Sequence, residues 1–93
     1  MQLHSLTNGA ITGTGTLKRT GGGAFGGALI NTDNTNAMTV AIHLNDANGK
    51  KIFNAATISS GFFIAPIDDE GADCLYYSIT GTGGTAQLFS WVS

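Results

Sequence analysis

The chain has 93 residues, of which 42% are hydrophobic and only 11% are charged, and it carries a formal net charge of −2 at pH 7. This length suits one domain with a single core. So small a charge creates no long-range field that would attract nucleic acid or an anionic membrane. The cations stand in two adjacent pairs rather than in a basic stripe: Lys18, Arg19, Lys50 and Lys51. We therefore expect no nucleic-acid partner and no membrane partner.

The cysteine content and the N-terminal sequence bear on the cellular compartment. Cys74 is the only cysteine, which excludes an internal disulfide and a thiolate metal cluster. The first residues, Met1 to His4, have neither the basic nor the apolar stretch of a signal peptide. No apolar run reaches the roughly 20 residues that a membrane-spanning helix needs. We expect a protein that is made in the cytoplasm.

The beginning of the chain predicts an extended segment rather than a packed strand. Residues 3–17 have the composition of an extended arm or an irregular edge strand, because interspersed glycines weaken strand pairing and loosen its register. Residues 21–23 are three glycines and predict a flexible hinge. We therefore divide the single domain into an N-terminal arm or edge segment, residues 1–23, and a β-sandwich core, residues 24–93.

The central part of the chain predicts two strands joined by a turn. Residues 24–31 form the first strand, and Gly26-Gly27 within it indicates a bulge or a close approach of another backbone. Residues 33–36 are Asp, Asn, Thr and Asn, whose short side chains bond to the local backbone and favour a turn. Residues 38–44 then alternate apolar and mostly small or polar side chains, which is the pattern of a half-buried strand.

The remainder of the chain predicts two hairpins and a strand between them. Asn48-Gly49 supplies the positive φ angles of a tight hairpin turn, after which residues 51–53 run back. Residues 58–66 form another apolar strand, which should end at the only proline. Residues 74–80 and Thr85–Val92 are then expected to pair as a last hairpin across a glycine-rich turn.

Together these segments predict an all-β fold. Helical apolar spacing is absent, because Gly, Thr, Asn and Ser interrupt every window. The short strands and regularly spaced turns favour a compact antiparallel β-sandwich of seven or eight strands, jelly-roll-like or immunoglobulin-like, with an extended glycine-rich N-terminal arm.

The residues that could support catalysis or metal binding are few. His4, His43 and Cys74 lack a recognisable base or orienting partner, so we expect no enzyme and no cofactor. His43 is expected on a polar surface and Cys74 in the core at the start of a strand. Residues 46–49 resemble a calcium loop only faintly and are explained by a hairpin turn. Residues 68–73 carry four carboxylates that could gather around a cation, but a solvated loop is the favoured interpretation.

The last strand is apolar on both faces, and this is the best candidate for a binding surface. Leu88 and Val92 share one face while Phe89 and Trp91 share the other, so the strand is either covered on both sides or presents one side to another molecule. With the last two strands paired, we expect Tyr76, Phe89 and Trp91 on one interface face. Apolar residues of the N-terminal arm extend the predicted interface: Leu3, Ile11 and Leu17.

Laid end to end, these segments resemble a family of small structural proteins encoded among the virion genes of tailed bacteriophages. The resemblance lies in a strand ending in an Asn-Thr turn, a Thr-Val-Ala-Ile strand, a Lys-Ile-Phe return strand, a Gly-Phe-Phe-Ile-Ala-Pro segment and a Leu-Tyr-Tyr-Ser-Ile-Thr-Gly-Thr-Gly segment. The matching residues are 28–32, 39–44, 46–53, 61–66 and 75–83. The acidic residues 68–70 depart from this pattern, in which a more neutral stretch is expected.

The resemblance implies a non-enzymatic virion protein, most simply a capsid decoration protein that binds the shell and self-associates. Its expected partners are the major capsid protein or other virion proteins, and its expected location is the virion. The alternative is a receptor-binding or carbohydrate-binding module of a tail or fibre. That alternative uses residue types suited to stacking on sugars or bonding to them: Trp91, Tyr76, Asn34 and Asn36.

Overall fold

Eight β-strands make up the regular structure of the protein, seen in a computed structural model that describes residues 2–18, 24–65 and 74–92. The strands are β1 Gln2–Ser5, β2 Gly13–Lys18, β3 Phe25–Asn31, β4 Met38–Leu44, β5 Lys51–Thr57, β6 Gly61–Ile64, β7 Cys74–Gly81 and β8 Thr85–Val92. The described residues contain no helix, and hence none that could cross a membrane.

The strands form two antiparallel sheets with a jelly-roll topology. The first sheet has the order β1-β8-β3-β6 and the second has the order β2-β7-β4-β5. Every connection except that between β4 and β5 joins one sheet to the other, as expected for an eight-stranded jelly roll. The prediction of an all-β antiparallel sandwich is confirmed, and of its two forms the topology is the jelly-roll one.

The core lies between the two sheets and follows the alternation of the strands. In β4 every second side chain from Met38 to Leu44 is buried, because successive residues of a strand point to opposite faces. Phe25 of the first sheet meets Phe53 of the second edge to face, with ring centroids 5.2 Å apart. The other buried apolar side chains come from both sheets: Ala28, Ile30, Met38, Val40, Ile42, Leu44, Ala65, Leu75, Ile79, Ala86 and Leu88.

The N-terminal residues belong to the sheets, so an extended arm is not confirmed. β1 pairs with β8 at the edge of the first sheet, and β2 pairs with β7 at the edge of the second. Between them the Leu6 amide donates to the Leu88 carbonyl at 2.7 Å, and Ile11 and Ala86 exchange hydrogen bonds of 2.8 and 3.0 Å. The glycine hinge predicted at residues 21–23 lies outside the described residues.

The bulge predicted at Gly26-Gly27 is confirmed. The pairing of β3 with β8 shifts register between Phe25 and Gly27. Gly27 has a φ of 148°, and a Cβ there would overlap the carbonyl oxygen of Phe63 on β6. Glycine is therefore required because β6 approaches the β3 backbone too closely for a side chain.

The predicted last hairpin is wrong. β7 pairs with β2 and β4 in the second sheet, whereas β8 pairs with β1 and β3 in the first. The connection crosses the end of the sandwich, with φ values of 125° at Gly81 and 81° at Gly83. Both strands have an apolar face to bury, and placing them in opposite sheets turns these faces toward each other.

The tight turn predicted at Asn48-Gly49 is also wrong, although residues 51–53 do return beside β4. Neither residue has a positive φ; the left-handed residue is Asn45, with a φ of 69°. Residues 45–50 form a longer loop, in which the Asp46 carboxylate accepts from the Asn48 amide at 2.9 Å. Gly49 is needed because a Cβ there would overlap the Leu44 carbonyl oxygen.

The turn predicted at residues 33–36 is organised by one carboxylate. Asp33 accepts from the main-chain amides of Asn36 at 2.8 Å and Thr35 at 2.9 Å, and from the Asn36 side-chain amide at 3.0 Å. These bonds, of which the Asn36 main-chain bond contributes most, hold the pKa of the Asp33 carboxyl below its usual 3.8.

We predict that Asp33 contributes to the acid sensitivity of the fold. Because its pKa is lowered on folding, its stabilising contribution is present above pH 3.8 and is lost as the pH falls through the lower, folded-state pKa. The Asp33→Asn variant keeps an acceptor oxygen but does not titrate. Its melting temperature should therefore fall less than that of the wild type between pH 6 and pH 2 (compared by calorimetry). Equal falls would show that Asp33 does not contribute.

Candidate interface on the first sheet

The outward faces of the two sheets differ in chemistry. The second sheet presents mainly threonine, serine, asparagine and lysine. The first sheet presents six large apolar side chains, which we call the aromatic face: Leu3, Leu29, Phe62, Ile64, Phe89 and Trp91. Among the described residues, no charged side chain points outward from this sheet. The first sheet is therefore the only one of the two with an apolar outer surface.

The centre of the aromatic face is a contact between two phenylalanine rings. Phe89 on β8 stands opposite Gly27 on β3, and Phe62 on β6 stands opposite Leu29 of the same strand. The two ring centroids are 5.6 Å apart and the ring planes meet at 73°, an edge-to-face arrangement. The two rings meet across β3 from the strands that flank it.

One end of the aromatic face is built over Gly26. Leu3 and Trp91 stand opposite each other on β1 and β8, and a Cβ at Gly26 would overlap the Leu3 side chain and lie 3.3 Å from the Trp91 Nε1. The Trp91 Nε1 is buried and has no hydrogen-bond partner among the described residues. Leu3 and Trp91 therefore pack down onto the bulge and are both half-buried.

The other end of the aromatic face is the most exposed. Phe62 is 39% exposed and Ile64 is 67% exposed, although both are large apolar side chains. Both lie on β6, the edge strand. A contiguous exposed apolar patch of this kind is often a site of contact with other molecules.

The structure brings together three of the six predicted interface residues. Leu3, Phe89 and Trp91 lie on the aromatic face. Tyr76 lies on the outer face of the second sheet, on the opposite side of the sandwich. Ile11 and Leu17 pack against the core.

The prediction missed three residues of the aromatic face: Leu29, Phe62 and Ile64. For Phe62 and Ile64 the signal was present in the sequence. Residues 61–64 are apolar on both faces of a strand, as Thr85–Val92 is, and the same argument applies to them.

The side chains with catalytic or metal-binding potential lie apart from one another. His43 packs edge to face on Tyr76, with ring centroids 5.9 Å apart, and its Nδ1 lies 3.0 Å from the Gly49 carbonyl oxygen on the outer side of the second sheet. His4 lies on β1 of the first sheet. Cys74 begins β7 as predicted, but it is half-buried because it points outward at the beginning of this inner strand. The described residues contain no group of three His, Cys, Asp or Glu that could hold a metal.

Two other predicted sites are not seen among the described residues. The acidic residues 68–73 lie outside the described residues. The four residues of the carbohydrate-binding alternative do not form one site, since Tyr76 and Trp91 are on opposite sheets and Asn34 and Asn36 lie in the turn after β3. The Asn36 side-chain amide is already bonded to Asp33.

Fold and surface together define a small jelly-roll domain with one polar and one apolar outer face. Comparison of the chain with protein-family models, with curated proteins and with solved structures gives no significant match.

Proposed function

We propose that this protein is a non-enzymatic structural subunit that attaches to a larger protein assembly through its aromatic face. The resemblance of five segments between residues 28 and 83 to small virion proteins supports the head of a tailed bacteriophage as that assembly, with the protein in the role of a capsid decoration protein. Its partners are then the major capsid protein or neighbouring virion proteins.

The observation that carries the proposal is the exposed apolar surface around Phe62 and Ile64. A fully exposed large apolar side chain forgoes about 1.5–3 kcal/mol of stabilisation, and Phe62 and Ile64 forgo the exposed share of it. Aromatic side chains near the centre of an interface also carry much of its binding energy. A partner surface that covers the aromatic face recovers that free energy.

Fold and charge agree with an assembly role. Jelly rolls recur in viral capsid domains and in lectins, so the fold permits the role without determining it. The absence of charge among the described outward side chains of the first sheet means that association would depend on shape and apolar burial. Such association responds little to salt.

The test is co-sedimentation of the purified protein with phage heads that lack it. We expect saturable binding whose affinity changes by less than about threefold when sodium chloride is raised, since surface charge is not the source of affinity. Failure to bind, with the same protein showing a selective signal on a glycan array, would favour the carbohydrate-binding alternative. Binding that disappears at high salt would contradict attachment through the aromatic face.

A further inference from the structure

The free side of β6 can be identified from one hydrogen bond. The Ala65 amide, directly after β6, donates to the Gly26 carbonyl of the β3 segment at 2.9 Å. Main-chain groups of successive residues point to opposite sides of a strand. Those of Phe63, two residues before Ala65, therefore also point toward β3. The N–H and C=O groups of Phe62 and Ile64 therefore point away from the sheet. Within the described residues no strand pairs with that side of β6.

Natural proteins protect an open edge by keeping its strand short or with charged side chains, proline, bulges or a covering segment. Among the described residues, the short length of β6 is the only one of these features at this edge. Gly61–Ile64 contains neither a charged residue nor proline, and its pairing with β3 is regular. Its two outward side chains, Phe62 and Ile64, are apolar and exposed.

We propose that two copies of this protein join through their β6 edges, as antiparallel strands related by a two-fold axis at Phe63. Phe62 of each copy then stands opposite Ile64 of the other. Roughly four main-chain hydrogen bonds form, because Phe62 and Ile64 have their groups directed outward. The arrangement is self-complementary, as a two-fold interface requires. It gives a geometry to the self-association expected from the sequence, and the pairing itself is tested without a phage head.

The self-complementary register about Phe63 supports a second copy as the occupant of this edge, and pairing would also enlarge the aromatic face. With strands about 4.8 Å apart and about 6.7 Å between outward residues along a strand, the face of one copy measures about 20 Å by 20 Å. That is roughly 400 Å², half of the about 800 Å² per partner that a stable interface buries. Joining two β6 edges makes one eight-stranded sheet whose apolar surface is continuous and about twice as large. Pairing therefore brings the aromatic face to the size that stable attachment needs.

The first test uses the unmodified protein. Sedimentation should show a monomer at low concentration and a dimer at high concentration. The amide protons of Phe62 and Ile64 should exchange with solvent at least about tenfold more slowly in the dimer than in the monomer. A protein that stays monomeric at millimolar concentration, or amides whose exchange does not depend on protein concentration, would overturn the proposal.

The second test separates backbone pairing from apolar contact. Ile64→Pro removes an outward amide donor without breaking a bond to β3, and proline is tolerated on edge strands. Its control, Ile64→Ala, keeps the donor and shortens the side chain. We expect Ile64→Pro to be monomeric and Ile64→Ala to dimerise within about tenfold of the wild type. A folded Ile64→Pro protein that still dimerises refutes the edge pairing, and if that variant does not fold, the exchange experiment decides.

Discussion

Replacing Gly27 with alanine is expected to lower the free energy of unfolding by about 3–4 kcal/mol, from backbone strain at a positive φ together with overpacking. Gly27 has a φ of 148°, and its added Cβ would overlap the Phe63 carbonyl oxygen and lie 3.1 Å from the Ile64 Cα. The obstructing atoms belong to the β6 backbone, so rotation of a side chain cannot relieve the contact. β6 would have to move away from β3.

Gly61→Ala is the matched control, because Gly61 lies in the same strand pair. Its added Cβ would meet only the Phe63 ring, at 3.6 Å, and its φ is not positive. We expect its stability to change by less than about 1 kcal/mol, and in the stabilising direction if the unfolded chain is restricted. In thermal melts the melting temperature of Gly27→Ala should be about 15–25 °C below that of the wild type. Equal melting temperatures for the two variants would contradict the close approach of β6.

The sequence predicted those features that depend on side-chain alternation and local chemistry. The strand at 38–44 shows one buried and one outward row of side chains, and the structure has β4 at those residues. The Gly26-Gly27 bulge was predictable because glycine inside a strand usually marks a bulge or a close approach of another backbone. The turn at Asp33 followed from the hydrogen-bonding reach of its side chain.

The predictions that were wrong depend on which sheet a strand joins. A short glycine-rich connection such as residues 81–84 fits a hairpin, and it also fits a crossing at the end of a sandwich. Local sequence does not distinguish them, because the same inward residues are buried in either arrangement. The error also affected the candidate interface. The prediction that Tyr76 shares a face with Phe89 and Trp91 depends on a pairing of β7 with β8, which does not form.

The sheet to which each strand belongs also explains why the structure adds residues to the predicted interface. β3 and β6 are neighbours of β8 only through long-range pairing, so Leu29 and Phe62 could not be placed beside Phe89 from the chain order. The alternation within each strand was readable. Placing the outward apolar residues of β3, β6 and β8 on one surface required knowledge of the strand order.

Phe89→Ser is expected to weaken attachment to the assembly by at least about 30-fold, since a central aromatic anchor typically contributes about 2 kcal/mol or more. Phe89 lies at the middle of the aromatic face, on the inner strand β8, and contacts Phe62. The same change should lower the stability of the isolated protein by about 2–3 kcal/mol, because the half-buried ring loses part of its apolar burial together with its aromatic partner. Binding to phage heads and thermal melting of the free protein measure the two effects separately.

Tyr76→Ser distinguishes the aromatic face from a general loss of aromatic surface. Tyr76 is also half-buried, points outward from an inner strand and contacts one other ring, that of His43, but it lies on the second sheet. Its stability cost should match that of Phe89→Ser at about 2–3 kcal/mol, while its binding should remain within about twofold of the wild type. Equal losses of binding in the two variants would mean that attachment does not select the first sheet. Loss in Tyr76→Ser alone would place the interface on the opposite side of the sandwich.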